Sequence, residues 1–183
     1  MDENKEQKLL QGAQRGDKKA IADLYDLHYR AVYNYIFYRV TDLQIAEDLS
    51  AEVFIRMINK LPAYIDRGRP FLAWLYTIAR NIVIDHHRVI GRKEEVPIKE
   101  DLLEDRILNP DQQVQDRQTS DCFRSALKLL PETQQQLLIY RFINGFSTPK
   151  IIQLLNKSDR AVRSLQHRAL RSLERLLVEE NCL

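Results

Sequence analysis

Glycine and proline are scarce in this chain, five and six among 183 residues. That leaves too few turn-formers for a fold of many short strands. There are only two cysteines, Cys122 and Cys182, far apart and without ligand-like spacing. They predict neither a disulfide framework nor a zinc site, and they point to a reducing compartment. No apolar run approaches the roughly 20 residues that span a bilayer, and the charged start MDENKEQKLL lacks the apolar core of a signal peptide. The expected location is therefore the cytoplasm. The sequence holds no glycine-rich phosphate loop, no HExxH-type metal pattern and no cysteine setting that suits a nucleophile. Accordingly no catalytic residue, metal or cofactor is expected, and the chain reads as a binding protein rather than an enzyme.

What is present favours helices. Apolar residues make up 44% and charged residues 30%, ample for amphipathic helices, and the stretches between breakers are rich in Leu, Ile, Ala, Arg, Glu and Gln. The fold is read as all-α. The net charge of +2 conceals a division along the chain. Residues 1–93 carry 15 Lys/Arg against 12 Asp/Glu, residues 94–116 carry 2 against 8, and residues 117–183 carry 11 against 6. Two mildly basic blocks flank an acidic one, an asymmetry that can accompany nucleic-acid binding but does not by itself establish it.

Gly16-Asp17 breaks a short first helix, and Leu24, Leu27, Ala31, Tyr35, Ile36 and Val40 then recur at helical spacing. Thr41, with Gln44 three residues on, predicts a capping box for the next helix, whose buried stripe runs through Leu49, Val53, Phe54 and Met57. After a loop from Pro62 to Arg69, Pro70 suits a first helical turn, and Phe71, Trp74, Leu75, Ile78 and Ile82 form an inward face to about Arg88. Trp74 is therefore expected to be buried. From about Gly91 to Asp116 periodicity fades and prolines enter at Pro97 and Pro110, which reads as a linker. Helices are predicted again at about 117–129, 132–144, 148–155 and 159–178. The domain reading is 1–92, a helical bundle; 93–116, a flexible acidic linker; and 117–183, a second helical domain.

Phe146 to Leu177 carries the strongest signal. Ser147 or Thr148 can cap a short helix with Pro149 in its first turn, Asn156-Lys157 supplies a turn, and Ser158 caps the following helix. This is a helix-turn-helix. In its second helix Ala161, Val162, Leu165, Ala169, Leu173 and Leu176 share one face, while Arg160, Arg163, Ser164, His167 and Arg171 share the other. That outward face suits the major groove, where Arg can bind guanine in a bidentate way; the competing reading is an ordinary solvated arginine-rich face.

Several strings together resemble the extracytoplasmic-function (ECF) sigma factors of the sigma-70 family, the promoter-recognition subunits of bacterial RNA polymerase: GDKKAIADLYDLHYRAVYNYIFYRV, AEDLSAEVF, RPFLAWLYTIARNIVIDHHR and LPETQQQLLIYRFINGFS. The resemblance implies a region 2-like bundle and a region 4-like helix-turn-helix domain. It also implies that the AEDLSAEVF helix docks on core polymerase, the match falling on Glu47, Asp48, Leu49, Glu52 and Phe54; the acids Glu47, Asp48 and Glu52 are taken as the contacts, while helical spacing assigns Leu49 and Phe54 to the bundle core. It implies further that the next helix holds the melted promoter strand. There Tyr76, Arg80 and His87 fall on one outward stripe, and Asn81 and Arg88 on a neighbouring one. The loop from Ala63 to Arg69 would help receive a flipped base. The implied partners are core RNA polymerase and promoter DNA, with an inhibitory anti-sigma protein as a further expectation. Where family members usually carry Glu-Ile-Ala and Gly, this chain has Lys150-Ile151-Ile152 and Asn156. The alternatives are a stand-alone helix-turn-helix regulator and a degenerate protein that binds polymerase or an inhibitor without reading promoters.

Overall fold

The computed structural model describes residues 3–40, 42–91, 122–180 and 182. The linker reading at 93–116, the Thr41 cap and the start of the helix expected from 117 lie outside them. The first lobe is built from α1 (Glu3–Gln14), α2 (Lys18–Phe37), α3 (Leu43–Lys60), a single 3₁₀ turn (Leu61–Ala63) and α4 (Phe71–Gly91). The second contains α5 (residues 122–129), α6 (Glu132–Leu138) running into a π-helical turn (Ile139–Ile143), α7 (Thr148–Leu155) and α8 (Asp159–Glu179).

The breaks fall where local chemistry demands them. Gly16 has φ +85, and the Asp17 carboxylate accepts from the Lys19 and Ala20 amides to start α2, satisfying donors that a helix end leaves open. Helices α1 and α2 cross closely at Gly12, where an added Cβ would lie 3.1 Å from that of Ala20. Across the same crossing the buried His28 lies 2.9 Å from the Glu6 carboxylate, which holds that carboxyl below its usual range. Helix α3 is capped by Asp42, which accepts from the Ile45 amide; the observed cap is thus one residue beyond Thr41. Phe54, Val53 and Met57 are buried as expected, and Leu49 packs partly buried against them.

The 132–144 segment departs from the single helix predicted. After Leu138 the chain widens into a π turn, in which the Asn144 amide donates to the Ile139 carbonyl and the Phe146 amide to the Tyr140 carbonyl. The wider turn carries Tyr140 into the core and swings Asn144 toward the first lobe. Buried side chains then form one continuous cluster through both lobes. At the seam the rings of Tyr35 (α2), Tyr76 (α4) and Tyr140 gather, with centroids 4.9 Å apart for Tyr35–Tyr76 and 4.6 Å for Tyr76–Tyr140.

Cys122 and Cys182 are joined by a disulfide, with their Cα atoms 6.0 Å apart. This corrects the expectation from spacing. α5 begins beside the point where the chain leaves α8, so a separation of 60 residues in sequence closes to a Cα distance within the range that disulfides span.

Candidate nucleic-acid interface

In the helix-turn-helix the backbone follows the predicted chemistry. Ser147 occupies the N-cap of α7 without a side-chain hydrogen bond, and a proline lies in the first turn. The turn between the helices has Asn156 in the left-handed region, φ 52 and ψ 49, a conformation that Asn tolerates better than other residues with a Cβ. The Ser158 hydroxyl then accepts from the Ala161 amide, 3.3 Å, to cap α8. Val162, Leu165, Ala169 and Leu173 are buried against the lobe, with Ile151 and Leu154 of α7 buried beside them and Ile152 partly so.

That packing turns the opposite face of α8 outward. Arg160, Arg163, Ser164, His167 and Arg171 are all exposed. Arg163 donates to Asp159 one turn earlier, 2.8 Å, which raises the affinity of its guanidinium for its proton. Held this way, the side chain lies along the helix near its N-terminal end, where recognition helices meet base edges.

On α3, Glu47 and Asp48 are exposed and Glu52 is half-buried. Glu52 accepts from Arg56 at 2.7 Å, an i,i+4 pair within the helix. Asp48 therefore stands open to a partner's cation, whereas Glu52 reaches one only by giving up or sharing Arg56.

On α4, Arg80, Asn81, His87 and Arg88 are exposed, but Tyr76 is not. It retains 3% of its surface, packed between Tyr35 and Tyr140, and burial pushes its phenol far above the ordinary range. The outward stripe predicted for Tyr76 is thus corrected, because the second lobe covers that part of α4. Its hydroxyl accepts from Asn144 Nδ2 at 3.1 Å. Arg80 is bound at the same seam, engaging Glu132 through Nε and, at 2.9 Å, through Nη2; the contact lowers the Glu132 carboxyl pKa and raises that of Arg80. His87 donates from Nε2 to the Arg39 carbonyl, 3.1 Å. Sequence patterning missed Asn34, Arg124 and Asn144, because their hydrogen bonds run to the other lobe, and Arg39, which folds back onto the Tyr35 ring and carbonyl.

Ahead of α4 the loop from Ala63 to Arg69 borders an open cavity of about 570 Å³ whose lining includes Tyr64, Ile65, Arg67, Arg69 and Trp74. Trp74 is only partly buried, against the sequence expectation. It packs on Phe71 and Tyr64, with centroids 5.2 and 4.8 Å away, but lies in the first turn of α4, where the loop leaves one edge open. An aromatic edge and the two guanidinium groups of Arg67 and Arg69 around one hollow are suited to a base and its phosphate.

Residues 24–93 match the family model of sigma-70 region 2, and residues 120–173 match that of sigma-70 region 4. The chain is 35% identical over 173 residues to the ECF RNA polymerase sigma factor BldN of Streptomyces coelicolor, a match spanning 94% of this chain and 66% of that protein. It is 34% identical over 166 residues to the ECF RNA polymerase sigma factor SigD of Mycobacterium tuberculosis, spanning 87% and 77%. Among solved structures, CnrH in complex with the cytosolic domain of CnrY has the same fold, with a TM-score of 0.64 at 23% identity over 93% of this chain and 96% of that one.

Proposed function

Because the chain belongs to the ECF RNA polymerase sigma factors of the sigma-70 family, we propose that its binding work is divided among three helices. As a sigma factor it directs RNA polymerase to promoters and takes part in transcription initiation. In this division the acids of α3, Glu47, Asp48 and Glu52, engage cations on core polymerase. Arg80, Asn81, His87 and Arg88 of α4, with Tyr76 once uncovered, hold the melted strand, and the loop from Ala63 to Arg69 receives a flipped base. Arg160, Arg163, Ser164, His167 and Arg171 of α8 read the duplex upstream. The protein binds and positions while the polymerase carries out the chemistry, and the cytoplasm is where that polymerase works.

The observation that carries this reading is the exposed five-residue face of α8 behind a turn built on left-handed Asn156. It favours promoter reading over the degenerate alternative, since the departures from the family pattern leave a complete helix-turn-helix. The test is transcription from a promoter library by core RNA polymerase with and without the protein. New start sites that share spaced upstream motifs are the expected result. Polymerase binding without new starts would leave a polymerase-interaction protein, and no binding at all would favour a stand-alone regulator.

A further inference from the structure

We propose that Cys122 and Cys182 are a reversible, peroxide-responsive thiol pair whose oxidation fastens the closure of the two lobes at their seam. The inference rests on the reading of the chain as a sigma factor at work in the cytoplasm. There thiols are kept reduced, and a cysteine pair placed to close into a disulfide is a sensing or catalytic device rather than a permanent staple. The geometry is that of a sensor. These are the chain's two cysteines, so oxidation within one chain has a single disulfide product. Their Cα atoms lie 6.0 Å apart, and both residues are only partly buried, within reach of a peroxide and of a reducing thiol. Neither belongs to the apolar core, which in the second lobe includes Ala126, Leu127, Val162, Leu165, Ala169 and Leu173. The lobe therefore keeps its packing in both states.

The chemistry needs only a peroxide. One thiolate attacks a peroxide oxygen and the O–O bond breaks, leaving a sulfenic acid and a hydroxide that takes up a proton. The second thiolate attacks that sulfur, forms the S–S bond and displaces a second hydroxide, which is protonated in turn. Two thiols and one hydrogen peroxide thus give one disulfide and two waters. A dithiol reductant reverses the step by exchange through a mixed disulfide.

What the bond joins decides its effect. Cys182 lies just past the end of α8, its amide donating to the Leu177 carbonyl at 2.8 Å. Cys122 lies in the first turn of α5, beside the two residues with which that helix grips the first lobe. The Phe123 ring meets that of Tyr38 edge to face, at 6.5 Å and 85°. Arg124 lies over the Phe37 ring, 4.0 Å from its centroid, and donates to the carbonyls of Phe37 and Val40 at 3.1 and 2.8 Å. When the pair is reduced, this turn can fray from α8 and stay on α2 while the rest of the second lobe moves away from Tyr76 and Arg80. When it is oxidised, the turn is fixed to α8, and the lobes part only if the Phe123 and Arg124 contacts break in the same event. The disulfide thus raises the cost of uncovering α4 without touching α4 itself.

The test uses the full chain, oxidised with hydrogen peroxide or left reduced, with the peroxide removed before core RNA polymerase and a promoter library are added. Alkylation of free thiols followed by mass measurement counts the bond. The reduced protein is expected to lose both thiols to peroxide and to regain them with dithiothreitol. The oxidised form is expected to give roughly fivefold fewer transcription starts, as a smaller open fraction requires. Cys122→Ser combined with Cys182→Ser should give the reduced level with or without peroxide. Failure of peroxide to join the pair, or equal starts from the oxidised and reduced forms, overturns the switch while leaving the sigma-factor reading intact. A peroxide effect that persists in the double variant overturns it too, because the response then lies in other groups. If the oxidised, reduced and variant proteins all give no starts, the promoter reading falls and the switch falls with it.

Discussion

Asp48 and Glu52 lie four residues apart on α3, but their surroundings differ: one is exposed and the other is tied to Arg56. Reversing both charges with Asp48→Arg and Glu52→Arg should weaken core polymerase binding roughly tenfold or more, since like charges would then face each other across the interface. The helical circular dichroism signal should stay as it is, because neither side chain belongs to the core. Unchanged affinity would remove these acids from the contact. On α8, Arg163→Ala should weaken duplex binding about tenfold if the guanidinium makes a bidentate base contact. An electrophoretic shift that does not move would mark a solvated arginine held only by Asp159. The exposure of Asp48 and Arg163 was legible from helical spacing, because exposure on a single amphipathic helix follows from the sequence of that helix, whereas the docking role of the α3 acids came from the family resemblance.

The turn between α7 and α8 belongs to the scale of the element. Asn156 sits at φ 52, where a side chain with a Cβ is strained and Asn is the best tolerated after Gly. Asn156→Ala should therefore cost about 1 kcal/mol of stability in chemical denaturation, without a loss of surface charge. An unchanged midpoint would mean that the turn can adopt another conformation. This turn was readable because Asn-Lys between two amphipathic runs is a local signal. The π turn at Ile139–Ile143 was not, since apolar spacing through Leu137, Leu138, Ile139 and Tyr140 suits an α-helix equally well. The widening puts both Tyr140 and Asn144 against the first lobe, a gain that no local propensity encodes.

At the scale of the whole molecule the seam and the disulfide set stability. Arg80 holds the Glu132 carboxyl below its ordinary 4.5, so this contribution to closure is complete above that value and is lost as pH falls through the lower folded one. The pair is half-exposed, so its share is about 1 kcal/mol or less. Small-angle scattering should show the lobes loosening only in acid, and Glu132→Gln should remove that acid-dependent component of the change. A wild-type profile that is flat through the carboxylate range would take Glu132 out of the closure. Reducing Cys122–Cys182, which closes a separation of 60 residues, should lower stability by about 4 kcal/mol on the chain-entropy account. An unchanged thermal midpoint after reduction would show that α5 and α8 hold each other without the bond. In a reducing compartment the pair exists as thiols, so the protein there would have the lower stability. The sequence by itself determined the helices other than the one interrupted at Ile139–Ile143, the polar faces of α3 and α8 and the helix-turn-helix, because each depends on spacing within one segment. Tertiary structure alone decided that Tyr76 is covered, that Arg80 meets Glu132 and that two distant cysteines join. Those outcomes depend on how one helix approaches another, and side-chain spacing along either helix carries no record of the meeting.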